Sequence, residues 1–302
     1  MATFAFLGPR ATFSDEAARL FAGAGAANGG AAPDFLERVT IPEVFEAVRA
    51  GAADFGVVPI ENSLEGSVAA TLDELALGRQ VFMLGETRLD IHHCLIAAPG
   101  TQRADITTIV SHPQALGQCA QWILHELPGR PVIASNSTVD AVRQAGEHPG
   151  YGAIASAFAA ELYGADILER NIEDHTNNQT NFVLIAGKER AARYLAAHGG
   201  QATPDQGGQS QGSRAYKTSA ALFMWANKPG ALLMILAEFA YAGVNLTKIE
   251  SRPTKEAMGE YMFFLDFEGR ADDPDVAIAL DSLRLKLREV KVLGSYPAAQ
   301  LL

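Results

Sequence analysis

Four short polar segments in the first two-thirds of the chain carry side chains suited to ligand binding and proton transfer. They are residues 8–14 (GPRATFS), 59–67 (PIENSLEGS), 111–114 (SHPQ) and 178–182 (NQTNF). Each follows or enters a predicted strand, which is where open α/β sheets bind ligands. The first is neither a GxGxxG nor a Walker motif, and no GxSxG elbow joins a predicted strand to a predicted helix. The sequence therefore indicates neither a nucleotide site nor a nucleophilic triad.

Each segment taken alone also has an ordinary structural interpretation. Thr12 or Ser14 would cap a helix, and His112 before a proline would do the same. The segment 59–67 would be a polar loop with a cap, and 178–182 would be a turn. The functional alternative for the first segment is an anion cradle, because exposed N–H groups and hydroxyls meet at a helix start.

The histidines raise the question of a metal site. His92, His93 and Cys94 are adjacent, but neighbouring residues of a strand point to opposite faces and make a poor chelate. No HExxH, CxxC or carboxylate cluster accompanies them. We therefore expect no metal and no cofactor.

Composition limits the classes of partner. The 302 residues are 48% hydrophobic with a net charge of -11, which argues against nucleic acid and anionic membrane as partners. Cys94 and Cys119 form no disulfide framework, so a reducing, cytoplasmic location is expected. No apolar run reaches about 20 residues, and we expect neither a signal peptide nor a membrane span.

Strands alternate with helical patterns through about residue 187, which predicts βαβ units and largely parallel sheets. A helix is predicted over Ser14–Phe21. The predicted strands are Thr3–Leu7, Phe55–Ile60, Ile106–Val110, Pro131–Ala134, Gly152–Ala155 and Phe182–Ala186.

A low-complexity stretch separates this region from a second pattern. Residues 199–213 (GGQATPDQGGQSQGS) predict a flexible linker, preceded by a short helix over 191–197. After it, the order β-α-β-β-α-β predicts a ferredoxin-like domain. Pro229 is expected in the first turn of its first helix and Gly243 at that helix's C-terminal cap. Such a small sheet is commonly covered by a second copy.

Taken in order, the four polar segments resemble the LGPxGTFS, PIENSxxGxV, SHPQALxQC and NxTRF motifs of prephenate dehydratases. The C-terminal part, with GAL at 230–232 and NLTKIESRP at 245–253, resembles the ACT domain attached to those enzymes. The likeness covers nearly the whole chain except the linker. Each motif is short, but their order, spacing and pairing with the ACT motifs make the match specific.

The resemblance implies a two-lobed α/β catalytic domain of the periplasmic-binding-protein type, followed by a ferredoxin-like (βαββαβ) ACT domain. The catalytic domain would span 1–187, with one lobe over about 1–78 plus 165–187 and the other over 79–164. A linker would cover 188–216 and the ACT domain 217–302. The site would lie in the cleft between the lobes.

It also implies a reaction, the decarboxylating dehydration of prephenate to phenylpyruvate without a cofactor. Thr180 would hydrogen-bond or donate to the leaving oxygen, within a relay for which Glu61 is a candidate proton source. The family's catalytic residues would be Thr180, Glu61, Asn62, Ser111 and Gln114. Its substrate-binding residues would be Thr12, Phe13, Ser14, Ser63 and Phe182.

Regulation is implied as well, with L-phenylalanine as the allosteric effector bound where two ACT domains meet in a homodimer or tetramer. The expected effector-site residues are Gly230, Ala231, Leu232, Asn245, Leu246, Glu250, Ser251, Arg252 and Pro253. The last four would couple that site to the rest of the chain.

Two residues depart from the family pattern. Ala11 replaces the usual glycine, so we expect its turn to avoid a glycine-only conformation. Asn181 replaces the arginine of TRF and removes a fixed positive charge beside the expected site. Two alternatives therefore stay open: a related enzyme acting on arogenate, and a sensor that has the same fold without catalysis.

Overall fold

The computed structural model describes residues 1–26, 32–78, 80–198 and 216–298. These residues form two compact units. The first contains Met1–Val44, Val57–Ser67 and Arg88–Phe182. The second contains Phe45–Gly56, Val68–Thr87 and the chain from Val183 onward.

The region before the predicted linker is built from strands and helices in alternation. Its strands are β1 (Thr3–Leu7), β2 (Asp34–Arg38), β3 (Phe55–Asn62), β4 (Gly66–Ser67), β5 (Val81–Asp90), β6 (Cys94–Ala97), β7 (Thr108–Ser111), β8 (Val132–Ala134), β9 (Tyr151–Ala155), β10 (Asp166–Arg170) and β11 (Gln179–Gly187). Its α-helices are α1 (Phe13–Phe21), α2 (Ile41–Arg49), α3 (Ala69–Leu77), α4 (Pro113–Gln118), α5 (Ala120–Glu126), α6 (Thr138–Glu147), α7 (Ala157–Tyr163) and α8 (Lys188–His198). A π-helical turn covers Ala22–Ala26, and a 3-10 turn covers Arg103–Asp105.

Two sheets organise these elements. The first has the order β2-β1-β3-β11-β5, with β4 paired to β3, and the second has the order β10-β6-β9-β7-β8. In the second sheet β7 runs parallel to β8 and β9, whereas β6 runs antiparallel to β9 and β10. The strands reached through helices thus share one direction, and β6, which follows β5 without a helix, is reversed. Two α/β sheets joined by two passages of the chain confirm the expected fold class.

The limits of the two expected lobes need correction. The strand 81–90 belongs to the first sheet, and the strand 166–170 pairs with β6 in the second. By sheet membership, the chain passes between the sheets near 91–93 and 171–178, not at 78–79 and 164–165. Sequence patterns missed β2, β5, β6 and β10 because these strands are short or carry charged residues without clear alternation.

The core of the second sheet shows why its strands read as apolar runs. Leu95, Ile109 and Ile154 are fully buried in one cluster, and Ile96 and Val110 are fully buried in another. Strands covered by helices on both faces bury successive side chains, so they lack the alternation of a half-exposed strand.

The C-terminal region has the predicted ferredoxin-like order. Its elements are β12 (Tyr216–Phe223), α9 (Ala231–Tyr241), β13 (Leu246–Pro253), β14 (Tyr261–Glu268), α10 (Pro274–Lys286) and β15 (Glu289–Pro297). The sheet order is β13-β14-β12-β15, with each neighbouring pair antiparallel. The two helices pack on it around Leu222, Ile235, Phe239, Leu265 and Leu280.

The start of α9 differs from the prediction. Pro229 precedes α9 instead of lying in its first turn, because Gly230 takes the N-cap position with a left-handed φ of 83°. Gly243, with φ of 71°, ends the helix as expected. The short helix predicted over 191–197 is part of α8. Most of the predicted linker, 199–215, lies outside the described residues.

Candidate functional site

A cavity of about 180 Å³ lies within the first compact unit and is bordered by segments from both sheets. Its lining residues are Phe13, Ser14, Pro59, Asn62, Ile91, His93, His112, Gln114, Ala115, Gln118, Thr138, Thr180 and Phe182. Six of them were predicted as site residues: Phe13, Ser14, Asn62, Gln114, Thr180 and Phe182. The structure therefore brings all four polar segments of the sequence to one cavity.

The hydroxyl of Thr180 is held in this cavity by Asn62. Thr180 is only 9% exposed, and Asn62 Nδ2 donates to Thr180 Oγ1 over 2.9 Å. The same nitrogen lies 2.7 Å from Asn178 Oδ1. Because Thr180 Oγ1 accepts a hydrogen from the amide, its own hydrogen is available for donation to a ligand.

The turn after β3 fixes the orientation of the Asn62 amide. Asn62 Oδ1 accepts the backbone N–H groups of Leu64 and Glu65, each over 3.0 Å. Ser63 Oγ donates to the Asn177 carbonyl and accepts from the Gln179 N–H, both over 2.9 Å. The turn is thereby bonded to the segment that enters β11, so Asn62 and Thr180 are positioned by the same pieces of backbone.

A second group of hydrogen bonds continues from this pair toward α4. Asn178 Nδ2 donates to Gln118 Oε1 over 3.2 Å, and His93 Nε2 lies 2.8 Å from the same oxygen. Burial lowers the pKa of His93, so its imidazole is neutral near neutral pH, although the bond to Gln118 acts in the opposite direction. With a carbonyl oxygen as its partner, His93 carries its hydrogen on Nε2.

The turn before α1 corrects one expectation from the sequence. Ala11 adopts a left-handed φ of 66°, the conformation that we expected it to avoid. Its N–H donates to Asp15 Oδ2 over 2.8 Å, and this fully buried carboxylate also accepts from Arg19 Nε over 2.9 Å. The bond to Asp15 offsets the cost of about 1–2 kcal/mol for a non-glycine residue in this region.

Four predicted residues do not line the cavity. Thr12 stands at the N-cap of α1, but its Oγ1 donates to the Pro9 carbonyl over 2.9 Å. Ser111 Oγ donates to the Ile154 carbonyl over 2.6 Å and so joins β7 to β9. Ser63 holds the turn already described, and Glu61 lies on β3 opposite Ser67 of β4. The first three hydroxyls are therefore engaged in internal bonds.

Asn181, the departure from TRF, is also absent from the lining. It lies on β11 between Thr180 and Phe182, both of which border the cavity. Because successive side chains of a strand point to opposite faces, Asn181 is directed away from the cavity. The Asn181 side chain therefore does not border the cavity.

Sequence reasoning missed several lining residues, for which weak signals existed. Gln118 follows Gln114 by one helical turn, so the two share a helix face. Thr138 begins α6 directly after Ser137, whose hydroxyl caps that helix by accepting the Asp140 N–H over 2.9 Å. The position of His93 between His92 and Cys94 indicates at most a metal ligand and gives no sign of a cavity-lining role. His112, singled out as a helix cap, fills that role and also borders the cavity.

The electrostatic character of the cavity comes from dipoles. Among the described residues that line it, none is Arg, Lys, Asp or Glu. Ser14 lies in the first turn of α1 and Thr138 in the first turn of α6, where partial positive charge accumulates. The cavity can therefore bind an anion through hydroxyls, amides and helix starts, and Thr180 can donate to an oxygen inside it.

A second cavity, of about 290 Å³, lies beside the start of α9 in the ferredoxin-like region. Its lining residues are Met224, Trp225, Ala226, Lys228, Pro229, Gly230, Ala231, Met234, Lys286 and Leu287. Of the predicted effector residues, Gly230 and Ala231 border it. Trp225, which is 72% exposed, was not predicted.

The remaining predicted effector residues lie outside that cavity. Leu232 is on α9, and Leu246, Glu250, Ser251, Arg252 and Pro253 are on β13. Asn245 Nδ2 donates to Glu268 Oε1 over 3.0 Å. Arg252 donates to Asp73 on α3 through Nε, over 2.8 Å, and its Nη2 lies 2.7 Å from the same oxygen. Within the second compact unit, the ESRP segment thus binds a helix of the region that precedes the linker.

The described ranges contain no group of three or more His, Cys, Asp or Glu side chains placed to hold a metal ion. They also contain no helix that is both long and apolar enough to span a membrane.

Comparison with known proteins gives the family. The chain matches the prephenate dehydratase family model over residues 4–190 and the ACT domain model over 226–284. A prephenate dehydratase of Mycobacterium ulcerans is 38% identical over 304 residues, covering 99% of this chain and 90% of that protein.

Two solved structures align with this chain over nearly its full length. Prephenate dehydratase of Arthrobacter aurescens, in complex with L-Phe, aligns with a TM-score of 0.79 at 33% identity, covering 97% of this chain and 89% of that chain. GqqA, described as a novel type of quorum quenching acylase, aligns with a TM-score of 0.77 at 30% identity, covering 98% of both chains. The chain belongs to the prephenate dehydratase family.

Proposed function

We propose that the chain converts prephenate to phenylpyruvate, CO2 and water, and that L-phenylalanine regulates it through the ACT domain. Family membership supports the reaction, and one observation supports the site: the buried Thr180 hydroxyl accepts a hydrogen from Asn62 and has its own to give. A hydroxyl held as a donor suits a leaving oxygen, because its position is fixed before the reaction begins.

The proposed step is an elimination driven by aromatisation. The bond between the ring and its carboxylate breaks, and CO2 departs. The electron pair of that C–C bond enters the ring, and the C–O bond at the opposite carbon of the ring breaks. Thr180 donates its proton to the departing oxygen, which leaves as water, and Thr180 regains a proton from a relay. Glu61 stays our candidate for the source of that proton, although its side chain does not line the cavity.

The two carboxylates of the substrate need different treatment. The departing carboxylate loses its charge, so a cation beside it would stabilise the ground state most and slow the step. A lining without Arg or Lys side chains among the described residues fits that requirement. The retained carboxylate needs an anchor, and we assign it to the first turns of α1 and α6, with Ser14 and Thr138, and to Gln114. Phe13 and Phe182 would hold the ring.

The domain assignment follows from the same resemblance. Residues 1–187 would form the catalytic domain, 188–216 the linker and 217–302 the ACT domain; the two family matches, over 4–190 and 226–284, support a division between residues 190 and 226. Cys94 and Cys119 are free and buried, which supports our proposal of a reducing, cytoplasmic location.

The effector proposal rests on the ACT domain. The Arthrobacter relative was solved with L-Phe, and the cavity beside α9 offers Met224, Met234 and Trp225 to a benzyl group. The bond between Arg252 and Asp73 supports a route from this region toward α3. Binding of the effector would then shift activity by its differential affinity for two states, typically about 1–3 kcal/mol.

Two other activities are weighed against this one. Arogenate differs from prephenate by an amino group in place of a keto group, and no lining residue favours either. For an acylase such as GqqA a nucleophile activated by a base would be expected, whereas the Thr180 hydroxyl is bonded to an amide. The test is to incubate the purified full chain with each compound and to measure phenylpyruvate and phenylalanine. We expect phenylpyruvate to form from prephenate. Formation of phenylalanine from arogenate, with no phenylpyruvate from prephenate, would contradict the proposal.

A further inference from the structure

Glu65 places its carboxylate on the two glutamine side chains that border the catalytic cavity. Gln114 Nε2 donates to Glu65 Oε1 over 2.6 Å, and Gln118 Nε2 donates to the same oxygen over 3.2 Å. Both glutamines lie on α4 and line the cavity, whereas Glu65 is exposed and does not. A protein carboxylate thus occupies amide donors that the substrate carboxylate could use.

The backbone around Glu65 is held in place. Its N–H donates to Asn62 Oδ1, and Gly66 takes a left-handed φ of 81°, which lets the chain turn from β3 into β4. The Glu65 side chain therefore joins the turn after β3, in the first sheet, to α4, which follows β7 of the second. Because the residue is exposed, its side chain can rotate into water without leaving a buried charge behind.

We propose that Glu65 is an internal competitor for the substrate, held on Gln114 and Gln118 until the substrate carboxylate displaces it. This inference rests on the proposed function, which supplies a dianionic substrate. Two carboxylates cannot share these amides without strong repulsion, since the described lining contains no cation to screen them. Only molecules in which Glu65 has left the two glutamines can bind the substrate carboxylate there. The apparent affinity is therefore the intrinsic affinity multiplied by the fraction of such molecules.

The proposal predicts that loss of Glu65 tightens substrate binding. Glu65→Ala should lower KM for prephenate about fivefold, the effect of removing one competing hydrogen bond of ordinary net strength. Glu65→Gln retains an oxygen acceptor but no charge, so its KM should fall less. The change should appear in KM and not in kcat. Glu147→Gln, which removes an exposed charge paired to Arg143 elsewhere in the same unit, is the matched control and should leave both constants as they are.

The same variants should be titrated calorimetrically with phenylpyruvate, which carries the retained carboxylate. Tighter phenylpyruvate binding by Glu65→Ala than by the wild type would support the proposal even if prephenate were not turned over, in which case only the proposed function would fail. A higher KM or weaker binding in Glu65→Ala would overturn the competitor role, because Glu65 would then order the site. Equal, salt-sensitive decreases in Glu65→Ala and Glu65→Gln would overturn it in favour of simple charge repulsion.

Discussion

The bond between Asn62 and Thr180 is the residue-scale feature on which the proposed chemistry depends. Asn62 uses its carbonyl oxygen on two backbone N–H groups and its nitrogen on the Thr180 hydroxyl. The bond from Asn62 occupies an acceptor position of the Thr180 oxygen, so the hydroxyl retains its own hydrogen for donation to a ligand.

Thr180→Ala should lower kcat for prephenate by about 10²–10³, the usual effect of removing one preorganised donor. KM should change much less, since the bond strengthens as the oxygen departs. Steady-state kinetics of phenylpyruvate formation provide the measurement. The control is Asn181→Ala, the next residue of β11 on its opposite face, which should keep kcat within about threefold. A kcat for Thr180→Ala within tenfold of the wild type would contradict the assignment of this hydroxyl.

His93 gives a second residue-scale prediction, on stability. Burial lowers its pKa in the folded chain, so at low pH the unfolded chain binds a proton that the folded chain resists. Neutral His93 therefore makes its whole contribution to the free energy of unfolding above the pKa of the unfolded chain, about 6.5. That contribution is lost as the pH falls toward the lower pKa of the folded chain.

His93→Gln should be less stable than the wild type near neutral pH by about 1 kcal/mol, because the bond to Gln118 is weakened. That gap should narrow as pH falls to about 5, because only the wild type has a histidine to protonate at this position. Urea unfolding midpoints at the two pH values give the comparison, with the exposed His125→Gln as the control. A gap that stays constant or widens on acidification would contradict neutral burial of His93.

At the scale of elements, sequence patterns located the long apolar strands and the ferredoxin-like order but not every strand. β1 was predicted with its observed limits, because a five-residue apolar run is bounded by Gly8-Pro9. β2 (DFLER) and β10 (DILER) were missed, since each mixes charged with apolar residues at a sheet edge, where burial is partial. Pairing partners, and so the limits of the two sheets, depend on contacts distant in sequence.

The site shows the same division between local and distant information. Motifs predicted Asn62, Thr180 and Gln114 as site residues, and the structure places all three in the cavity lining. They could not show that the Ser111 hydroxyl donates to the Ile154 carbonyl, since that bond joins two strands whose pairing the sequence does not specify. Nor could they show the direction of Asn181, which depends on which face of β11 borders the cavity.

Helix α3 gives the element-scale prediction. Arg252 binds Asp73 in the middle of α3. Near the end of the same helix, Lys291 Nζ donates to the carbonyls of Leu75 and Ala76, over 2.8 and 2.9 Å. Strands β13 and β15 of the ferredoxin-like sheet therefore both hold this helix. If effector binding changes β13, the pair between Arg252 and Asp73 is a direct way to reach α3.

Asp73→Asn should reduce the factor by which phenylalanine changes prephenate turnover, because the neutral amide holds Arg252 less tightly. Coupling of about 1–3 kcal/mol corresponds to roughly 5–150-fold, so the loss is measurable in an effector titration. Lys255→Gln removes the exposed second partner of Asp73 and should have less effect, since exposed ion pairs contribute little. An unchanged phenylalanine response in Asp73→Asn would exclude this pair from the coupling.

At the scale of the whole molecule, the exposed surface of the ferredoxin-like region favours self-association. Leu233 and Tyr241 of α9 are 70% and 88% exposed, and Ile278 and Leu285 of α10 are 65% and 88% exposed. Large apolar side chains clustered on one small domain are typical of an interaction surface.

We predict a homodimer, or a dimer of dimers, at micromolar concentration. Light scattering on the purified full chain provides the mass, and Leu233→Glu with Leu285→Glu should shift it toward the monomer by placing charges on the apolar surface. An exposed alanine of the first unit changed to glutamate, Ala104→Glu, serves as the control. A wild type that scatters as a monomer would contradict the assembly.

The most direct test of the central claim is the stoichiometry of prephenate consumption by the unmutated chain. Purified protein should release CO2 and phenylpyruvate in equal amounts, at an ordinary enzyme rate of roughly 1–10³ per second, and Thr180→Ala should lose most of that activity. A wild type that binds prephenate, by calorimetry, yet releases no CO2 would contradict the claim and favour a sensor with the same fold.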